Sequence, residues 1–363
     1  DEALGTAAAR ARSDGLAFIA DALGRLPRST ATDWLSVQQR HRDKEVLHGL
    51  LERLLREEPE SAAAVDRVVE DVNASPDALD ALLERQNYRL AFWRTAGREL
   101  GYRRFFDINT LVGLRTEEDR VFADTHALVL RWLGDGMLDG LRIDHPDGLR
   151  DPEHYFRRLH NASPTSWVVV EKILEPGERL RESWAVAGTT GYDFLNRVGG
   201  LFIDPEGDKT LTRLYADVTG EPTDFAALAR QKKHQVMRDV LGSDVNRLTA
   251  LFLDVCERHP RHRDYTRHEL HEALREVIAW FPVYRTYARA ETGQIHEDDV
   301  RHVVEATEGA KTARPDLDVE LFDFLRDLLL LRLPGPSESE LVMRFQQLTG
   351  PVMAKGVEDT AFY

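Results

Sequence analysis

The stretch GLRIDHPDGL, Gly140 to Leu149, decides how the chain is read. Its first half is a compact apolar run, and Asp-His-Pro-Asp-Gly behind it has almost no propensity to continue a regular element. A strand that ends on an aspartate has two readings. Asp and Gly are turn formers, so Asp147 and Gly148 can simply close a loop. Parallel sheets and barrels also carry their working side chains at the carboxyl ends of strands, which makes Asp144 a candidate for chemistry.

Working outward, DPEHYFRRLH places Pro152 at the start of a short helix. WVVVEKI follows as a strand apolar enough to be buried on both faces. Upstream, RRFFDINTL is a short β-prone run, and TEEDRVFADTHALVLRWLGDG reads as a helix with Thr116 and Asp119 as a capping-box-like pair. Strand, helix, strand, helix, strand is the signature of a parallel α/β architecture. On both sides of this region helical periodicity dominates. Residues 1–100 read as a helical subdomain, 101–205 as the strand-bearing centre, and 206–345 as a second helical subdomain. Residues 346–363 are expected to supply a further strand and a functional loop. Within the first helical part, Ser75-Pro76-Asp77 is a helix start signal.

Composition narrows the function classes. The chain has 363 residues, a formal net charge of −15 and 42% hydrophobic residues, ordinary for a soluble globular protein. The acidic balance, with no basic block set among aromatics, gives no footprint for nucleic acid. A single cysteine, Cys256, excludes an internal disulfide framework and a Cys-based zinc site, and fits a cytoplasmic setting. No apolar run approaches a membrane span, LFDFLRDLLLLRL being the longest. The start at DEALGTAAAR and the stop at VEDTAFY suggest a piece of something longer. HELHE, His268 to Glu272, lacks the second His of a zinc-protease motif, and GAKT lacks the glycines of a phosphate loop. The histidines His259, His262, His268 and His271 read as surface residues, so neither metal nor cofactor is expected.

The carboxylates remain. Asp144 and Glu171 end successive proposed strands with one helix between them. Neighbouring strand ends in a parallel sheet lie on the same edge, so both side chains can converge over one pocket. Two facing carboxyls are what glycosidic chemistry requires, one ionised nucleophile and one protonated acid. Arg142, two positions before Asp144, points to the same side of the strand and favours its ionised form, whereas the apolar run before Glu171 favours the neutral acid. A turn Asp and a solvated Glu stay open on spacing alone.

Motifs in order along the chain narrow the choice. GLRIDHP and VVVEKIL resemble the nucleophile and general-acid strands of the α-amylase superfamily. Together with YRRFFDINTLVGLR, GTTGYDFLN, FPVYRTY and MAKGVEDTAFY, they resemble the maltooligosyltrehalose synthase family from about residue 86 onward. The resemblance implies an α/β fold, part of a (β/α)8 TIM barrel with large, predominantly helical insertions. Its early strands would lie before Asp1, and its last strand and a β domain after Tyr363. By position it implies Asp144 as nucleophile, Glu171 as general acid/base, Arg142 as the nucleophile's partner and Asp359 as a third, sugar-binding carboxylate. His145, Asn109, Tyr192, Asp193 and Lys355 become candidate sugar contacts, with Arg285 a weaker one. VEDT departs from the superfamily's Asn-His-Asp, which puts Asp359 in question. The implied activity is a retaining, intramolecular transglucosylation of maltooligosaccharides that converts the reducing-end α-1,4 linkage to α,α-1,1. A maltooligosyltrehalose-cleaving hydrolase is the implied functional partner. A plain α-glucan hydrolase and a non-catalytic carbohydrate-binding module are the competing readings.

Overall fold

A computed structural model of the chain describes residues 1–28, 30–31 and 33–362. The chain divides into two units, 1–92 and 93–363. In the first unit, α1 (Glu2–Ala11), α2 (Asp14–Gly24), α3 (Trp34–Glu57), α4 (Pro59–Ala74) and α5 (Pro76–Glu84) follow one another. Ala7, Ala8, Leu16, Ala64 and Val68 form their core. Small side chains there let helix backbones approach closely. Ser75 caps α5 through its side chain with Pro76 directly behind it, as its sequence predicts.

The second unit begins with α6 (Ala96–Glu99), β1 (Arg104–Phe105) and β2 (Ile108–Val112). The RRFFDINTL run does not open the parallel series. It folds back as an antiparallel hairpin in which Phe105 pairs with Ile108. Phe106 in the turn takes a positive φ of 48°, the twist that tight hairpins need. Next come α7 (Asp119–Gly134), β3 (Gly140–Ile143), α8 (Pro152–Ala162), β4 (Trp167–Val170), β5 (Gly188–Thr189) and α9 (Tyr192–Gly200). The proposed cap at Thr116 is not made: Glu118 occupies the cap position of α7 without a side-chain bond. Pro152 does start α8, behind an Asp151 side chain that accepts from His154 N–H.

Strands β3, β4 and β5 form a parallel sheet in that order. Among the described residues this sheet has three strands, so the full barrel is not present in them. Val168 and Val170 of β4 are buried, but Trp167 is 64% exposed, which corrects the expectation of burial on both faces. Gly140 is required where it stands, because a Cβ there would run into the Trp167 carbonyl of the paired strand.

Helices fill the remainder: α10 (Asp208–Thr219), α11 (Phe225–Asp239), α12 (Gly242–Arg258), α13 (Arg267–Trp280), α14 (Glu297–Ala313), α15 (Val319–Leu329) and α16 (Pro336–Met353). Phe252, Leu270, Leu274, Val277, Phe322, Leu325 and Phe345 sit at 0% exposure in one core, with Cys256 among them. The strand expected in 346–363 is a correction. Residues to Met353 continue α16, and Ala354–Ala361 form a π-helical turn. Leu341, Phe345, Leu348 and Val352 keep a helical spacing against the core, and this outweighs the breaking signals of Gly350 and Pro351. The wider π turn begins three residues after the proline. Among the described residues no helix is long and apolar enough to cross a membrane.

Candidate active site

Parallel pairing of β3 and β4 sets Arg142 opposite Val169 and Ile143 opposite Val170, so Asp144 and Glu171 leave the sheet at the same carboxyl edge. The pairing reaches one residue further, because Glu171 N–H donates to the Ile143 carbonyl at 2.9 Å. Arg142 ties the two carboxylates together. Its Nη2 lies 3.0 Å from Asp144 Oδ1 and 3.6 Å from Glu171 Oε1.

The two acids differ in setting. The Asp144 side chain is 60% exposed and that of Glu171 only 25%. Burial raises the Glu171 carboxyl above its ordinary range, and the charge and hydrogen bonding of Asp144 push the same way. Arg142 and the His145 N–H, which donates to Glu171 Oε2 at 2.9 Å, hold it back. The arrangement therefore favours a protonated Glu171 beside an Arg-paired Asp144, the asymmetry an acid and a nucleophile need.

His145 adopts left-handed backbone angles, φ 44° and ψ 52°. Its ring lies against Phe106 at 4.7 Å and edge-on to Phe105 at 5.3 Å, and burial lowers its pKa, favouring the neutral imidazole. Asp144 and His145 open into a cavity of about 770 Å³ that the β1–β2 hairpin and α16 also line, through Phe105, Thr110, Gln347 and Pro351.

The other predicted residues stand on the hairpin, on α9 and in the π turn. Asn109 sits on β2, its side-chain oxygen accepting from Arg104 and its carbonyl from the Tyr102 hydroxyl at 2.6 Å. Tyr192 and Asp193 begin α9 beyond β5, on the same sheet edge. Tyr192 is exposed, whereas Asp193 accepts from the Thr189 hydroxyl at 2.5 Å and faces a separate recess with Glu175 and Asn196. Lys355 bridges Asp359 at 2.9 Å and Asp107 of the hairpin turn at 3.3 Å, which raises its pKa. Asp359 is half exposed.

Its neighbour Glu358, which the sequence reading passes over, is the more enclosed carboxyl. Burial and then the charges of Asp359, Glu175 and Glu171 push it up to about 7. A VED triplet beside apolar positions is the only signal for it. Gly356, just before, lies so close to α11 that a Cβ would come within 2.9 Å of Lys233 Cα.

Arg285 is no sugar contact. It is 1% exposed and spent on backbone carbonyls. Among the described residues no group of His, Cys, Asp and Glu is placed to hold a metal. His259 bonds Glu338 at 3.0 Å, His262 stacks on Phe324, and His271 bonds Thr249 at 3.1 Å.

No family model matches the chain. Two curated Mycobacterium tuberculosis proteins, provisionally named maltooligosyl trehalose synthase, are each 35% identical to it over 285 residues, 78% of this chain. The chain spans about a third of the length of these relatives, 34%. Among solved structures, maltooligosyltrehalose synthase from Arthrobacter ramosus superposes with a TM-score of 0.68 at 37% identity, covering 80% of this chain and 34% of that one. A hypothetical maltooligosyl trehalose synthase of Sulfolobus tokodaii does so at 0.58 and 30% identity, covering 80% of this chain and 34% of its own.

Proposed function

With the chain placed in the maltooligosyltrehalose synthase family as a segment about a third of its relatives' length, we propose that it carries the catalytic pair of a glucan isomerase. The observation that carries this reading is the meeting of Asp144 and Glu171 on one Arg142 nitrogen, at adjacent parallel strand ends.

Glu171 protonates the glycosidic oxygen of the reducing-end α-1,4 linkage while Asp144 attacks the anomeric carbon, giving a covalent glycosyl-enzyme and a free glucose. The glucose turns within the site and presents its anomeric hydroxyl. Glu171, now ionised, takes that proton as the new α,α-1,1 bond forms and Asp144 leaves. Two inversions return the original configuration. A shared arginine nitrogen fits the close carboxyl spacing of retaining enzymes, about 5 Å, better than the wider inverting gap that must hold a water. Asp359, held by Lys355, and His145 are the next candidates for sugar hydroxyls, followed by Asn109, Tyr192 and Asp193. The (β/α)8 barrel is the fold we propose for the whole protein. A hydrolase that splits the product is the proposed partner.

The test uses protein made from the complete gene, with Asp144→Asn as control, and maltopentaose as substrate. Reducing ends, free glucose and anomeric proton signals are followed together. Loss of reducing ends with little glucose, absent in the control, supports the isomerase. Stoichiometric glucose would make it a hydrolase, and no change in either would remove the catalytic reading.

A further inference from the structure

Arg285, in the irregular segment between α13 and α14, belongs to a residue type that normally reaches solvent, yet it is among the most buried side chains of the chain. Four of its five guanidinium N–H groups go to carbonyl oxygens. Nε donates to Thr286 at 2.9 Å, and Nη1 to Asp147 at 2.7 Å and Leu149 at 2.6 Å. Nη2 donates to Arg150 at 3.4 Å. The carbonyl in between, that of Gly148, accepts from Gln347 Nε2 at 3.0 Å and from Arg103. The Asp147 side chain is taken by the Tyr287 hydroxyl and by Lys172 Nζ at 3.5 Å. Every carbonyl from Asp147 to Arg150 is thus held from outside the sheet.

What this clamp holds is strained. His145, at the head of the same loop, has a φ of 44°, a region that non-glycine residues occupy only when their surroundings over-determine it. Where the chain turns in this way, the His145 N–H lies 2.9 Å from Glu171 Oε2. Were the loop to relax to ordinary angles, this bond would be the first casualty.

We propose that Arg285 is a positioning residue for Glu171, acting through the Asp147–Arg150 carbonyls to keep His145 left-handed and its N–H on the general acid. The inference rests on the reading of Asp144 and Glu171 as the catalytic pair. Arg285 touches no reacting atom. Its function is to keep a donor on Glu171, most needed when that carboxylate is ionised and must act as base. The charges around the two ends of this relay are distinct. Glu171 is faced by Asp144 and Arg142, by the His145 backbone N–H, and by Glu358 from the π turn. Arg285 is faced by Asp147 and Asp151 of the loop, Asp299 of α14 and Arg103 of the hairpin region.

The experiment measures kcat and KM for maltopentaose against pH, in protein from the complete gene, for Arg285→Lys, His145→Gly and the pair. Arg285→Lys keeps the charge and loses the fork. It should lower kcat by about 10- to 100-fold with KM nearly unchanged, because the effect is one of orientation. Losing the His145 donor removes a bond that favours ionised Glu171, so the alkaline limb should move up by about 0.5–1 pH unit. Glycine adopts a positive φ without a clamp, so Arg285→Lys should cost several-fold less in the His145→Gly background. A folded Arg285→Lys protein with an unmoved alkaline limb, or an equal cost in both backgrounds, overturns the proposal. If Arg285→Lys does not fold, Tyr287→Phe removes only the bond to Asp147. It should shift the limb in the same direction and by less, and no shift there overturns the proposal equally. Absence of turnover in the unmodified protein would count against the catalytic reading instead. The relay is then decided by the carboxyl carbon-13 titration of Glu171, assigned with Glu171→Gln, whose midpoint must rise in Arg285→Lys or Tyr287→Phe.

Discussion

Asp144 and Asp147 are close in sequence and opposite in condition, and so are the adjacent Glu171 and Lys172. Asp144 stands 60% exposed with one arginine beside it, while Asp147 is 5% exposed and bound by Tyr287 and Lys172. Lys172 is 2% exposed and further paired with Glu178 at 3.1 Å. On the rim Asp144 keeps an exposed face beyond its arginine, and in the floor beneath Asp147 and Lys172 are enclosed by their partners. Reactive groups need free bonding capacity, but a geometry good to a fraction of an ångström needs a saturated base. The chain alternates the two demands from one residue to the next.

Substitutions that treat rim and floor alike would break this comparison. Asp144→Asn on the rim should cut turnover by about 10³-fold or more while leaving the thermal midpoint near that of the parent, since an exposed carboxyl has little to lose in packing. Loss of stability with retained turnover would reverse the assignment. In the floor, Lys172→Met should destabilise by about 3–5 kcal/mol, because it strands Asp147 and Glu178 as buried charges. Urea unfolding measures this, and a neutral result would mean that water reaches the site. Gly356→Ala tests the packing of the π turn on α11 and should cost about 1–3 kcal/mol by the same method, given the 2.9 Å approach to Lys233.

The smallest effect concerns pH. Folding raises Glu358 from its ordinary range to about 7, so the folded protein binds a proton that the unfolded chain has already released between those values. Stability contributed by that proton is present at acid pH and lost as pH climbs through 7. Glu358→Gln should therefore raise the thermal midpoint at pH 8 by roughly 1–2 °C, the carboxyl being partly solvated, and leave it unchanged below pH 4. Equal midpoints at both pH values would place Glu358 in open solvent.

The rim is legible in the sequence, and the floor is not. GLRID and WVVVE announce two strand ends with acids on them, because apolar runs followed by turn residues carry that signal locally. Arg285, Lys172 and Lys233 are long cations whose default is solvent, and nothing within a few residues of them reveals that they are enclosed. Their burial depends on contacts across more than a hundred residues, as between Arg285 and Asp147. The RRFFDINTL hairpin and the π turn escape the sequence for a related reason. Phe106 at a positive φ and Pro351 inside a helix both run against local preference, and tertiary packing overrides each. Asp359 draws attention over Glu358 through a motif, whereas enclosure of the neighbour is a property of the folded chain.

The helical core holds one more consequence, in Cys256. It is the sole thiol of the chain, it has no exposed surface, and burial pushes its pKa up to about 12. Thiolate is the species that alkylating reagents and peroxide attack, so near neutrality this sulfur is chemically silent while α12 stays packed. Its rate of modification then becomes a clock for opening of the core. One unmodified residue reports, without any introduced probe, how often the interior is exchanged for solvent.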